Sequence, residues 1–570
     1  MSTWKNKPVD QQLVGNLQRQ FEIPEIMARV LANRGIRSIS DSQPFFSPDI
    51  DQLHDPFLML NMEKAAGKVA EEIREGGHIL VFGDYDVDGT TGSSMLFLFL
   101  RSVGARPSVY IPDREKEGYG LSSRGVDLAV EKGARLLITC DCGISAVEAV
   151  EYANSRGIEV IITDHHTPGT ALPEAFAILN PKQTGCSYPF KELCGGGVAF
   201  KLVCAVAQLI GCGFHYASEH LDLITLGTAA DIVPLIDENR IIVSNGIHQL
   251  EETARPGLRA LLDVCSLSGK ELTVGRLIFW VAPRINAAGR LGDANRAVKL
   301  LTTEDFGEAV NLARELNNEN RSRQTIQQVT VDEAHRKINA EVDLEHQRAI
   351  VLWKEGWHPG VIGIVSSKIK EEFHRPVVTI AMNGERGKGS ARSISKFDVY
   401  EILAKCAPYL DDYGGHPMAA GLNISARNLE SFRKAFVDLA NESLGPEDMV
   451  PELHIDGEME LSVIDKQFMD FMKKLAPYGP GNSRPQFVSR NVQVAGSPRI
   501  VGSGDHLKFT ARQGSTRYDV IGFNLAKHYE QLITGDPVDL AFRVEENEWK
   551  GKKSIQLNLQ DIKKSGEKTS

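Results

Sequence analysis

Between about residues 78 and 235 the chain alternates short, β-branched apolar runs with longer segments of helical spacing. His78-Ile-Leu-Val-Phe82, Ser108-Val-Tyr-Ile111, Arg135-Leu-Leu-Ile-Thr139 and Glu159-Val-Ile-Ile162 read as strands. The stretches between them, such as Arg124–Lys132 and Ser145–Ala153, place apolar residues three and four apart and read as helices. Strands and helices alternating at this interval predict a doubly wound parallel sheet in an α/β domain. A polar run rich in Glu, Arg, Gln and Asn follows from Thr303 to Ala340, without Gly or Pro after Gly307. It predicts one long helix, a strut more than a core element. A second α/β pattern begins at Ala349-Ile-Val-Leu-Trp353, with a helix over Val361–Phe373, a strand at Pro376–Ile380 and Gly-rich loops up to Asn423. His506–Thr510, Asp519–Phe523 and Val538–Val544 then alternate as short strands with Gly punctuation. That pattern predicts a small β-barrel of the OB type. The predicted boundaries are an N-terminal helical segment over 1–50, a first α/β domain over 51–302 and a connecting helix over 303–345. A second α/β domain covers 346–448, the barrel 449–562, and a polar tail 563–570.

Composition narrows the class. The 570 residues are 42% hydrophobic and 24% charged, ordinary for several globular domains and unlike a disordered chain. No apolar stretch reaches membrane-spanning length, and Met1-Ser-Thr-Trp-Lys5 lacks the apolar core of a signal peptide. A soluble, cytoplasmic protein with no membrane partner is expected. The formal charge of −11 argues against coating nucleic acid by bulk electrostatics but leaves room for a local basic groove. The eight cysteines form no CxxC pair and most sit in apolar surroundings, so they read as reduced core thiols.

The chemistry concentrates at the predicted strand ends. Gly83-Asp84-Tyr85-Asp86-Val87-Asp88-Gly89 follows the first strand and runs into a helix. Three alternating carboxylates are a costly accumulation of like charge unless a cation holds them. An EF-hand loop opens with the same pattern, but its twelfth position would be Met95 instead of a bidentate Glu. The third strand ends in Asp141 and the fourth in Asp164-His165-His166, so carboxylates and imidazoles gather at one sheet edge, where open α/β sheets bind ligands. Asp231, after a helix, adds a further carboxylate. Aspartates mixed with imidazole suit Mn²⁺ or Mg²⁺, and the ligands suffice for two ions sharing a bridging carboxylate. The residues alone point to a two-metal phosphoesterase. Arg114, Arg284, Arg290 and Arg392 lie in loops placed to meet phosphate, and Gly384–Ser393 mixes small residues, hydroxyls and cations as an anion pocket does. Phe487, Phe509, Tyr518, Phe523 and Trp549 offer rings for stacking bases, though at strand spacing about half should belong to a core.

The set Asp84–Gly89, Thr139–Gly143, Asp164–His166 and Gly227–Leu235 resembles the DHH phosphoesterase family. Gly356–Val365 and Gly414–Gly421 resemble its RecJ branch, and the likeness runs from about residue 50 to 560. The resemblance implies a DHH domain, a DHH-associated domain and a C-terminal OB-fold. It implies a single-strand-specific 5′→3′ DNA exonuclease of repair and recombination that releases 5′-mononucleotides by two-metal phosphodiester hydrolysis. Asp84, Asp86, Asp88, Asp141, His165 and Asp231 are then the metal ligands, with Asp141 bridging. Asp164 orients its neighbours, His166 meets the scissile phosphate or leaving oxygen, and His416 approaches from across the cleft. Arg114, Arg284 and Arg290 fall to substrate binding, and Ser390 and Arg392 match the receptor of a 5′-terminal phosphate. One position departs from the family pattern: Phe82 stands where many members carry a His. The first metal therefore has either fewer protein ligands or Asp84 in compensation. Single-strand binding protein and a RecQ-type helicase are the implied partners of a monomer. The alternative is a small-substrate phosphodiesterase or manganese pyrophosphatase built on the same core.

Overall fold

The computed structural model describes residues 2–566 except 115–116, 119, 503 and 550–551, and only the backbone of Trp549. The chain opens with a short strand, β1 (Thr3–Asn6), and three helices, Gln11–Phe21, Glu25–Ala32 and Ile39–Phe46.

Five strands follow in the first α/β domain: β2 (His78–Gly83), β3 (Arg106–Tyr110), β4 (Leu136–Cys140), β5 (Glu159–Thr163) and β6 (Ala177–Leu179). All pair in parallel in the order β3-β2-β4-β5-β6. Within this sheet, β6 is the strand that hydropathy alone did not mark, because three residues make too short a run to stand out. Both faces of the sheet are covered, as a parallel sheet requires. One face buries Val81, Ile138 and Ile161 against the helices Val87–Ser102 and Gly195–Leu209. The other buries Leu80, Phe82, Leu137 and Ile162 against Ser123–Glu131 and Val147–Ser155. The strand order reverses between β2 and β4, which opens a crevice at their carboxyl ends.

The polar run is a single helix, Phe306–Glu341. It is more than a strut. Ala309, Ala313 and Leu316 enter the first domain's core, while Val331, Ala334 and Ile338 enter that of the second. The second α/β domain has a five-stranded sheet of β7 (Ile350–Glu355), β8 (Val377–Asn383), β9 (Arg386–Arg392), β10 (Asp412–His416) and β11 (Ala419–Ser425). Its order is β10-β11-β9-β8-β7, with the helix Pro359–Phe373 connecting the parallel pair β7–β8.

β12 (Glu452–Ile455) pairs in parallel with β1 and so brings the N-terminal strand onto the start of the C-terminal unit. The barrel comprises β13 (Gly457–Glu458), β14 (Phe487–Val501), β15 (His506–Gln513), β16 (Thr516–Gly522), β17 (Val538–Trp549) and β18 (Lys552–Lys564). Pairing of β14 with β17 closes the order β14-β15-β16-β18-β17 into a ring, which removes the sheet edges. Val14, Leu17, Met27 and Leu31 of the N-terminal helices share one core with Phe487, Leu540 and Phe542 of the barrel.

Candidate functional site

The backbone ladder itself sets the acidic residues in line. Asp84 N–H donates to the Cys140 carbonyl at 3.2 Å, Asp141 N–H to Thr163 at 2.9 Å and Asp164 N–H to Leu179 at 3.0 Å. Each carboxylate thus stands one step beyond its strand, paired to the next strand over. Asp86 caps the helix Val87–Ser102 by accepting from Gly89 N–H at 3.0 Å, which places Asp88 in the first turn. Asp231 ends the helix Leu221–Ala230.

Two sets of ligand atoms result, each within 4.8 Å of one another: Asp84, Asp86 and Asp141, and Asp88, His165 and Asp231. His165 Nε2 lies 3.2 Å from Asp141 Oδ1 and 3.6 Å from Asp231 Oδ2, so the sets adjoin. Phe82 is buried in the core beneath Gly125 and takes no part, whereas Asp84 joins the first set. His166 also comes within the same range of Asp141 and His165. Its Nδ1 is held by Asp164 Oδ1 at 2.7 Å.

Asp164 ties this corner together. Its Oδ1 accepts the amides of His165 (2.8 Å) and His166 (3.1 Å), and its Oδ2 that of Ile144 (2.9 Å). Burial alone would raise the Asp164 carboxyl, yet the His166 ring and these amides hold it below its ordinary range. His166 is raised in return, the Asp164 carboxylate outweighing its burial.

Asp84, Asp88, Asp141 and Asp231 behave oppositely. Burial, then repulsion from Asp86, pushes Asp88 up to about 7 and Asp84 well above the usual carboxylate range. Burial and repulsion from Asp88 raise Asp231 to about 9 and lift Asp141 as well. Burial and the adjoining His166 lower His165 to about 3, so its ring is neutral at pH 7. Asp84 Oδ1, His165 Nε2 and Asp231 Oδ2 are buried without a hydrogen-bond partner among the described residues. Buried, mutually repelling oxygens with orphaned lone pairs and a neutral imidazole are the donors a hard divalent cation takes.

Glycines make the room. The amide of Gly196, at the amino end of the helix Gly195–Leu209, meets both Asp88 oxygens at 3.2 Å. A Cβ on Gly196 would sit 2.8 Å from Asp88 Oδ1, and one on Gly227 2.7 Å from the same atom. The Gly195-Gly196-Gly197 run was visible in the sequence, but nothing local distinguishes a helix that receives a carboxylate from an ordinary loop.

The family model described as DHH family, N-terminal domain, matches residues 78–228, the DHHA1 domain 346–442 and the RecJ OB domain 455–561. A single-stranded-DNA-specific exonuclease RecJ of Bacillus subtilis is 38% identical over 566 residues, covering 98% of this chain and 70% of its own. The chain belongs to the RecJ family. The Escherichia coli RecJ is 36% identical, covering 95% of this chain and 96% of its own. Among solved structures, RecJ from Thermus thermophilus in complex with Mn²⁺ superposes with a TM-score of 0.84 at 31% identity, covering 99% of this chain and 79% of that one. Its complex with Mg²⁺ gives 0.77.

A second group of this RecJ-family chain lies where the two α/β domains meet. Arg290 Nη1 donates to the Gly360 carbonyl across the cleft at 3.1 Å. Burial lowers its guanidinium to about 10, and Arg114, Arg323 and Arg392 add to the effect by repulsion. Arg392 Nη1 bonds Ser390 Oγ at 3.0 Å, and Arg392 too is lowered by burial and by Arg114. Arg114, Arg290, Arg392 and Ser390 therefore converge. Arg284 stands apart, bound to Asn317 Oδ1 at 3.1 Å and to the Trp280 carbonyl. His416 is exposed at the turn between β10 and β11. Sequence reading missed Arg323, buried on the long helix and held by Asn320 and Gln327, because a polar stretch conceals which arginine turns inward. In the barrel, Phe487 and Phe509 are core residues, Tyr518 is half-buried and bonds the Ile464 carbonyl, and Phe523 is exposed. The Trp549 side chain lies outside the described residues.

Proposed function

We propose that this protein is a metal-dependent, single-strand-specific 5′→3′ DNA exonuclease releasing 5′-mononucleotides. The observation that carries the reading is the pairing of an all-carboxylate set and an adjoining carboxylate–imidazole set at the sheet's switch point with an arginine cluster across the cleft. Asp84, Asp86 and Asp141 would hold one Mn²⁺ or Mg²⁺, and Asp88, His165 and Asp231 the other, with Asp141 between them. Ions so placed supply Lewis acidity and lower the pKa of water for in-line attack on a phosphodiester.

The chain's own groups do the rest. Asp164 orients both histidines, and His166, charged more readily than an ordinary imidazole, is set to meet the scissile phosphate or the leaving 3′-oxygen. Arg114, Arg290, Arg392 and Ser390 take the terminal 5′-phosphate by charge-assisted hydrogen bonds. Arg284 and His416 complete the substrate contacts in this reading. Closure of the barrel leaves Phe523 on its surface as a ring for a base to stack on. Such an enzyme works in DNA repair and recombination in the cytoplasm as a monomer, with single-strand binding protein and a RecQ-type helicase supplying its substrate.

Digestion of one oligonucleotide, single- and double-stranded and labelled at each end in turn, tests this with Mn²⁺ or EDTA. Mononucleotides should leave the 5′ end of the single strand only, and only with metal. Asp141→Asn should remove that activity while the unfolding transition stays cooperative. An intact oligonucleotide alongside hydrolysed dinucleotide or pyrophosphate would overturn the reading in favour of a small substrate.

A further inference from the structure

Tyr85 stands between two carboxylates of the first set, Asp84 and Asp86, and has no part in the chemistry above. Its ring packs against Ile111, Ala294 and Val298 and carries the Arg114 guanidinium, whose carbon lies 5.0 Å from the ring centroid. On its other side the main chain is equally confined. A Cβ on Gly289 would fall 2.7 Å from the Tyr85 carbonyl oxygen, so the helix Ala282–Leu291 closes directly onto this peptide. The next residue of that helix is Arg290, which spans the cleft to Gly360.

A guanidinium over an aromatic face is attracted by the ring quadrupole, more strongly where water is excluded. Stacking on an aromatic face restricts how a planar fork turns, which matters for bidentate contact with phosphate. The peptide that carries the ring is anchored at both ends, by Asp84 N–H on the Cys140 carbonyl and by Asp86 as a helix cap. Movement of Arg114 toward an anion therefore bears on the segment that holds the first set of carboxylates.

We propose that Tyr85 is a positioning residue that couples the arginine cluster to the carboxylate cluster, so that a 5′-terminal phosphate accelerates cleavage instead of only tightening the hold on the strand. The proposal rests on the arginine cluster being the 5′-phosphate pocket. The test compares kcat and KM on 5′-phosphorylated and 5′-hydroxyl single strands of one sequence, with Mn²⁺ binding measured by calorimetry without DNA. Tyr85→Phe should keep the kcat ratio between the two ends. Tyr85→Leu should lower that ratio by about tenfold and leave Mn²⁺ affinity within about twofold of the parent. Tyr85→Met, also without a quadrupole but unbranched and more adaptable in packing, provides the same readout should the Leu variant fail to fold. An unchanged ratio in both variants would overturn the coupling. So would equal losses on both ends together with weakened Mn²⁺ binding, since the ring would then merely support Asp84 and Asp86. Equal kcat and KM on the two ends in the parent protein would refute the phosphate pocket itself, with metal-dependent digestion of single strands still intact.

Discussion

Asp141 and Ile232 both have left-handed backbone, at φ 63° and 65°. An aspartate tolerates that region, but for a β-branched side chain it costs about 1–2 kcal/mol. Ile232 follows Asp231 directly and is 66% exposed, so burial returns little of that cost. Strain next to a metal-ligand candidate is retained where the surroundings over-determine the backbone. Ile232→Gly should therefore stabilise the protein by about 1 kcal/mol, after allowing for glycine's freedom in the unfolded chain, seen as a higher urea midpoint. His220 gives a pH-dependent counterpart. Its Nδ1 lies 2.8 Å from Arg255 Nη2, so the ring accepts there and stays neutral; burial and Arg255 lower it to about 3. Below its unfolded value of about 6.5 the unfolded chain binds a proton that the folded chain does not. Stability is thus complete above that pH and falls by up to about 1.4 kcal/mol per unit as pH drops toward 3. His220→Asn, which keeps an acceptor, should flatten this part of a denaturation series between pH 7 and 5.

The elements matter here for where their ends lie. The helices Gly195–Leu209 and Leu221–Ala230 crowd Asp88 from two sides, and Gly227 has Thr91 Oγ1 2.6 Å and Asp88 Oδ1 2.7 Å from the place of a Cβ. In an exposed helix Gly→Ala gains about 1 kcal/mol, but at this contact the added methyl overpacks and costs about 1–3 kcal/mol. Gly227→Ala should weaken Mn²⁺ binding by about 10–100-fold, read by calorimetry, with helix content by circular dichroism unchanged. The long helix shows what an average over a segment conceals. Its composition is that of a solvated strut, yet every third or fourth residue at each end is apolar and enters a different core, and Asn320 and Arg323 are buried midway.

Across the whole molecule, one guanidinium pins the barrel domain to the first α/β domain. Arg240 donates to the carbonyls of Phe45 (2.9 Å), Leu475 (3.2 Å) and Ala476 (2.7 Å), and lies 3.9 Å from the Phe45 ring centroid. Burial lowers it to about 10. It also reaches the Lys474 and Pro477 carbonyls, at 3.5 and 3.4 Å, and the three N–H donors of a lysine cannot serve all five. Arg240→Lys should cost about 2–3 kcal/mol and split thermal unfolding into two calorimetric transitions, the barrel melting first. The N-terminal helices belong with that unit, since they fill the barrel's core and β1 pairs with β12.

Strand and helix periods, the acidic strand ends and the family motifs are properties of neighbouring residues, so the α/β class, the metal chemistry and the RecJ-family kinship were legible from the chain alone. Phe82 was legible only as a departure; its burial beneath Gly125 and the approach of Asp84 to Asp86 and Asp141 depend on which face of β2 meets which helix. The convergence of Arg114, Arg290, Arg323 and Arg392 joins loops and helices from two domains, at separations no period or spacing encodes. The same holds for the N-terminal segment, whose apolar faces indicate that it packs but not on which partner. Local sequence determines periodicity and chemical type; only the closed tertiary structure decides which distant side chains share a desolvated cleft and thereby acquire their charge and function.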